Sequence, residues 1–190
     1  MTDENFIHTV FIGSNRSGKS NIVNRMRDGS FIKSYIPTIG AFHCSILSDD
    51  YDFSIKTWEF SGDKVYLKNL PKYIKNTDVV AIVFDISDKN YLKNLKHWIK
   101  FTKNKFSKND ATAEYLKQPQ IILIANKVDL IEDKHLKLPE EYNIYPFFKV
   151  SALDTTNISF LKRYLFFFKG SILMEKLRKN DDIRSCCCVS

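Results

Sequence analysis

The chain reads FIHTVFI over Phe6–Ile12 and then, with no intervening residue, GSNRSGKS over Gly13–Ser20. An apolar, partly β-branched run that opens into G-x-x-x-x-G-K-[ST] describes a strand breaking into a phosphate cradle and then a helix. Gly13 and Gly18 allow the backbone to curl so that successive N–H groups face one anion; Lys19 supplies a point charge and Ser20 an oxygen for Mg²⁺. The helix beginning at Lys19 adds the positive end of its dipole. We take Gly13, Asn15, Arg16, Ser17, Gly18, Lys19, Ser20 and Asn21 as the residues surrounding the phosphates. At average residue usage the pattern arises by chance in fewer than about one chain of this length in a hundred. The loop alone names neither the base nor the reaction.

Outward from the cradle, apolar runs alternate with helical patterns, which points to an α/β fold of the P-loop NTPase kind: a mostly parallel six-stranded sheet with helices on both faces. Strands are expected at Phe6–Ile12, Ala41–Leu47, Phe53–Phe60, Val79–Asp85, Ile121–Asn126 and Phe147–Val150, and helices at Lys19–Arg27, Val65–Lys75, Tyr91–Lys103 and from Ile158 onward. The charged stretch Thr102–Gln120 reads as a solvated helix extension or loop. With 190 residues, 44% of them hydrophobic, the chain suits one domain over residues 1–179 and a polar, flexible tail over 180–190.

The formal net charge is +7, but the basic residues are scattered and no zinc spacing or aromatic-interleaved basic stripe appears, which argues against nucleic acid and for an anionic membrane surface. Cys44 and the run Cys186, Cys187 and Cys188 fit a reducing compartment rather than a disulfide framework. The acidic start MTDENFIH lacks a long apolar run, so neither a signal peptide nor an N-terminal anchor is expected. The apolar stretch YLFFFKGSILMEKL is too short and interrupted to span a bilayer.

The base is read from ANKVD, where Asn126, Lys127 and Asp129 follow the apolar run IILIA. In a sheet of this type ligands gather at the carboxyl ends of the strands, so this loop opens beside the phosphate cradle. A carboxylate at Asp129 accepts from both the ring N–H and the exocyclic amine of guanine, and adenine presents no such donor pair. A third turn, Ser151 and Ala152 after FFKV, can bring a backbone N–H to the guanine carbonyl.

Together with YIPTIG at Tyr35–Gly40, WEFSG at Trp58–Gly62, SAL at Ser151–Leu153 and the terminal CCVS, these motifs resemble the Ras superfamily of small GTPases, and the Rab branch most closely. The resemblance covers nearly the whole chain. It implies GTP/GDP and Mg²⁺ as cofactors, with Phe31 packing on the base, Tyr35 covering the phosphates, and Thr38 completing the metal shell and touching the γ-phosphate. It further implies a γ-phosphate contact from the Gly62 N–H, and an effector-facing surface with Trp58, Tyr73 and, in place of the usual third aromatic, His43. Implied partners are effector proteins, an exchange factor, a GTPase-activating protein and a prenyltransferase, acting on a monomer. A hydroxyl in a mobile Gly- and Pro-bounded segment also suits a ligand-ordered switch when Thr38 is read on its own.

Departures from the family pattern are as informative. Asp63 stands where the family's water-positioning glutamine is usual. The aspartate is shorter, cannot donate when ionised and adds charge beside phosphate, so slow intrinsic hydrolysis is expected, with Asp63, Thr38 and Lys19 as the catalytic set. Glu59 replaces the usual aspartate of the metal site formed with Ser20 and Thr38, and Mg²⁺ is strict about geometry. Asn15 and Arg16 occupy positions that are small or glycine in the family; Arg16 is expected to point into solvent. Leu153 replaces a lysine, which removes any base contact through that side chain.

Cys187 is fourth from the end, so CCVS fits the C-a-a-X rule, and Cys187 with Cys188 also resembles the doubly geranylgeranylated Rab ends. Lipid at Cys187 and Cys188, helped by Lys176, Arg178, Lys179 and Arg184, implies a cytoplasmic protein held peripherally on the cytosolic face of membranes. The leading expectation is a Rab-like, GTP/GDP-switched regulator of vesicle trafficking. A catalytically impaired pseudo-GTPase scaffold is the alternative, and a P-loop kinase is disfavoured by NKVD.

Overall fold

Strand β4 (Val79–Asp85, VVAIVFD) is buried along almost its whole length, and its period of two splits the core into two layers. Val79, Ala81 and Val83 join one cluster, whereas Val80, Ile82 and Phe84 join the other. A strand apolar on both faces requires cover on both sides, which is the signature of a mostly parallel sheet. Strands β1 (Phe6–Ile12) and β5 (Gln120–Asn126) alternate likewise: Ile7 and Phe11 face the first cluster, Val10 and Ile12 the second.

The structure is a computed structural model, and it describes residues 6–48, 50, 52–63, 65–66, 77–105, 118–132 and 137–171. The remaining elements are helix α1 (Lys19–Asp28), strands β2 (Ala41–Ile46) and β3 (Ser54–Phe60), helix α2 (Tyr91–Lys105), strand β6 (Phe147–Lys149) and a helix over 158–171, here α3. The six strands lie in the order β2-β3-β1-β4-β5-β6, with β2 antiparallel to β3 and every other pair parallel. Helix α1 contributes Ile22, Val23 and Met26 to the first cluster, and α3 contributes Ile158, Leu161, Leu165 and Phe166. Helix α2 covers the opposite face through Leu95, Trp98 and Ile99. Each fully buried aliphatic or aromatic side chain of this kind is worth about 1.5–3 kcal/mol, and together they hold the strand ends that carry the loops.

The elements fall within a residue or two of their sequence-based bounds. β2 stops at Ile46 and leaves Leu47 outside, β3 starts at Ser54, and β6 ends before Val150, which is buried as the chain turns. Helix α2 runs two residues beyond Lys103, so the start of the charged stretch is a helix extension. The helix expected at Val65–Lys75, Tyr73 included, lies outside the described residues beyond Tyr66, as do residues 106–117 and the tail with Cys187 and Cys188. Among the described residues no helix is long and apolar enough to cross a membrane.

Candidate functional site

Parallel strands β1, β4 and β5 end at one edge of the sheet, and the loops that leave them converge there. The loop after β1 turns through Gly13 at φ 143° and reaches α1 through Gly18 at φ 89°, both conformations in which a side chain is strained. Space is also closed: a Cβ on Gly13 would overlap the Val83 carbonyl oxygen, and one on Gly18 would overlap the Asn126 amide. As the residue preceding α1, Gly18 brings no side-chain acceptor to the helix start, so the first-turn N–H groups face the cleft without a side-chain cap. That is the arrangement in which a helix terminus takes an anion.

Lys19 spans the loop. Its Nζ donates to the carbonyl oxygens of Gly13 at 3.1 Å and Ser14 at 3.0 Å, and the residue is only 5% exposed. Burial pushes the ammonium down to about 8, against the raising influence of Glu59. Trp98 of α2 adds a brace from the far side, its indole N–H donating to Ser14 Oγ at 3.2 Å.

Beside Lys19, three oxygens from three segments meet. Glu59, at the end of β3 and 3% exposed, accepts from Ser20 Oγ at 2.6 Å and from Thr38 Oγ1 at 3.1 Å, and the two hydroxyls stand 3.4 Å apart. Ligand oxygens around an octahedral Mg²⁺ at 2.0–2.1 Å are separated by about 2.9 Å, so this all-oxygen set fits a hard divalent cation. Thr38 belongs to the segment between α1 and β2, so the cluster joins a loop to the rigid sheet and helix. Gly62 lies against Asn15, where a side chain would strike the Asn15 backbone N.

A cleft of about 450 Å³ opens onto these groups and is lined by Asn15, Arg16, Gly18, Lys19, Ser20, Asn21, Phe31, Tyr35, Thr38, Glu59, Gly62 and Lys127, among others. Gly13, Ser17 and Asn126 stand behind it as support. Asn126, 2% exposed, donates from Nδ2 to the Ser17 carbonyl at 2.9 Å and accepts the Ala152 N–H on Oδ1 at 3.1 Å, which ties the phosphate loop to the turn after β6. On that turn Ser151 Oγ donates to Asp129 Oδ1 at 2.5 Å and also accepts the Leu153 N–H at 3.2 Å. Lys127, held at φ 66°, pairs with Asp85 at 2.6 Å across the ends of β4 and β5. Lys127 and Ser87 hold the Asp85 carboxyl below the usual range against the effect of its burial, which is the largest single influence.

Three departures from the family pattern take definite positions, and that of Asp63 modifies the expectation. Arg16 is exposed as expected, and its guanidinium also lies 4.9 Å from the centroid of the Tyr35 ring, beside the cleft. Asp63 does not line the cleft. Its carboxylate accepts the Val65 N–H at 3.0 Å while its own N–H donates to Ser61 Oγ at 3.2 Å, a local turn built from its own backbone. The Leu153 side chain is 52% exposed, and it is the carbonyl of Leu153 that is engaged, by Arg25. Trp58 is half-buried on β3, with its ring 4.6 Å from that of His43. Arg25, Asp85 and Trp98 carry contacts that no motif announces.

Residues 8–164 match the family model described as the Ras family. Among curated proteins the chain is similar to the Ras-related protein Rab-32D of Dictyostelium discoideum, 31% identical over 167 residues that cover 83% of this chain and 71% of the relative. It is also similar to the Ras-related protein RIC1 of Oryza sativa subsp. japonica, 27% identical over 157 residues, with 78% and 73% covered. With the phosphate loop, the Thr38 segment and both base turns inside the matched span, the chain belongs to the Ras superfamily of small GTPases, as a Rab-like member.

Proposed function

We propose that this protein is a membrane-associated, GTP/GDP-switched regulator of vesicle trafficking whose intrinsic hydrolysis is slow. Ras-family proteins bind GTP and GDP, typically with Mg²⁺, generally hydrolyse GTP, and generally work with effectors, exchange factors and activating proteins. The observation that carries the switch is the Ser20, Thr38 and Glu59 cluster, because it ties one loop hydroxyl to two groups on rigid elements. In this reading Ser20, Thr38 and Glu59 hold Mg²⁺, which offsets phosphate charge when bound. Lys19 and the first-turn N–H groups of α1 hold the phosphates, and Phe31 with Asn126, Asp129 and Ala152 forms the guanine slot. Losing a ligand at Thr38 and Gly62 releases both segments and changes the surface offered to partners. That surface carries exposed apolar groups: Ile36 is 72% and Ile39 79% exposed, next to Phe42 and the His43–Trp58 pair.

Slow hydrolysis is supported by Asp63. An ionised aspartate cannot donate to an attacking water, and its oxygen is already committed to the Val65 N–H. Single-turnover GTP hydrolysis by the parent and by Asp63→Gln tests this, with a faster variant expected; equal rates would remove the assignment. Residues 1–179 act as the G domain and 180–190 as the anchor, with lipid on Cys187 and Cys188. Mass spectrometry of the protein from eukaryotic cells reads that modification directly, and an unlipidated tail would defeat the membrane placement.

A further inference from the structure

Helix α1 ends in a basic turn, and its Arg25 makes more contacts than a side chain placed for the helix dipole requires. Its Nε donates to the Ala152 carbonyl at 2.8 Å, Nη2 to the Leu153 carbonyl at 2.9 Å and Nη1 to the Gly29 carbonyl at 2.5 Å. The same guanidinium lies 5.2 Å from the centroid of the Phe31 ring. Arg25 therefore joins two segments distant in the chain: the stretch leaving α1 at Gly29 and the turn after β6, whose Ala152 lies 127 residues beyond Arg25.

In the function proposed above, those two segments are the walls of the base slot. Phe31 lines the cleft, and the Ala152 N–H is fixed by Asn126. The stretch leaving α1 is sewn down a second time by Asn21, whose Oδ1 accepts the Ile32 N–H at 2.9 Å and whose Nδ2 donates to the Ile32 carbonyl at 3.0 Å. Asn21 reaches only the Phe31 side, however, whereas Arg25 reaches both. A planar fork with donors along two edges and a π-face can bind three carbonyls while lying against a ring; an ammonium cannot.

We infer that Arg25 is a positioning residue that sets the width of the guanine slot by clamping the Phe31 wall to the Ala152–Leu153 turn, and so lengthens the residence of bound nucleotide. The inference rests on Phe31 and Ala152 being the base contacts. Its direct consequence is energetic coupling: the effect of Arg25 on nucleotide release should pass through Phe31, because the clamp has no wall to hold once the ring is gone.

The test uses the full chain loaded with GDP carrying a fluorescent group on the ribose, and measures dissociation into excess unlabelled GDP. Arg25→Ala is expected to speed release by roughly 10- to 100-fold. Arg25→Lys should recover only a small part of that loss, because its three donors share one nitrogen and cannot span carbonyls reached from Nε, Nη1 and Nη2 separately. In a Phe31→Ala background, Arg25→Ala should add less than about threefold, since contacting groups are non-additive. A structural role alone would leave the two effects multiplicative. Release from Arg25→Ala within twofold of the parent, or multiplicative effects in the double variant, would overturn the clamp. If Arg25→Ala does not fold, Arg25→Lys carries the comparison, and release within twofold of the parent overturns the clamp equally. Failure of the parent itself to retain labelled GDP would instead reject the guanine-slot assignment on which the inference stands.

Discussion

Replacing Asn126 by alanine should loosen two loops at once. The side chain donates to the Ser17 carbonyl and accepts the Ala152 N–H, and it is almost wholly buried. Alanine fills neither role and leaves both backbone groups without a partner in a closed setting. Each unsatisfied buried group costs about 1–3 kcal/mol, so the pair amounts to roughly 2–6 kcal/mol. Against a domain stability of about 5–15 kcal/mol this is a large fraction. Urea unfolding of the nucleotide-free chain reads the change as a lower midpoint with an unchanged slope; leaving nucleotide out keeps any change in GDP affinity at the proposed guanine slot from entering the comparison. Asn126→Asp isolates half of the effect: the oxygen facing Ala152 is kept, while the donor to Ser17 becomes an acceptor set against a carbonyl. It should therefore be destabilising as well. A loss below about 0.5 kcal/mol in both variants, the range of an ordinary surface change, would show that the two loops are not braced through this residue.

Lys19 makes nucleotide binding pH-dependent. Burial holds it at about 8 in the free protein, while phosphate charge favours the ammonium and raises it. Above pH 8, binding should therefore take up as much as one proton and weaken by up to about tenfold per pH unit, measurable by calorimetry in buffers of different ionisation enthalpy; no uptake at about pH 9 would contradict it. Stability of the nucleotide-free chain moves in the opposite sense. Between about 8 and the ordinary 10.5 the unfolded chain binds more protons, so this residue adds stability as pH rises through that window. For Arg16, the stack on Tyr35 is worth about 0.5–1 kcal/mol, so Arg16→Ala should speed nucleotide release roughly two- to fivefold, and an unchanged stopped-flow rate would show the ring closes unaided.

A sheet covered on both faces was legible because VVAIVFD and IILIA are nearly unbroken apolar runs, and the structure divides their alternate residues between the two core layers. The phosphate loop was legible for a related reason: glycine at two strained positions and a Lys-Ser pair leave little freedom in where the chain must turn. Side-chain reach is different. Arg25 sits on an amphipathic helix where any long cation would look the same, and its three carbonyl partners are brought near only when α1, the Gly29 turn and the Ala152 turn pack together. Asp63 could be placed opposite the phosphates by alignment of motifs, but its preference for the Val65 N–H is a local competition between side chain and backbone that the motif does not encode. Arg16 is similar, since only the fold of the Thr38 segment sets Tyr35 beneath it.

The most direct measurement is a parallel titration of nucleotide-stripped, Mg²⁺-replete full chain with GDP and ADP. A slot that answers two N–H donors with the Asp129 carboxylate should reject a base lacking them, by a factor on the order of 10⁴. Tight GDP binding with ADP weaker by that order is the predicted result. Comparable affinities for the two nucleotides would contradict it.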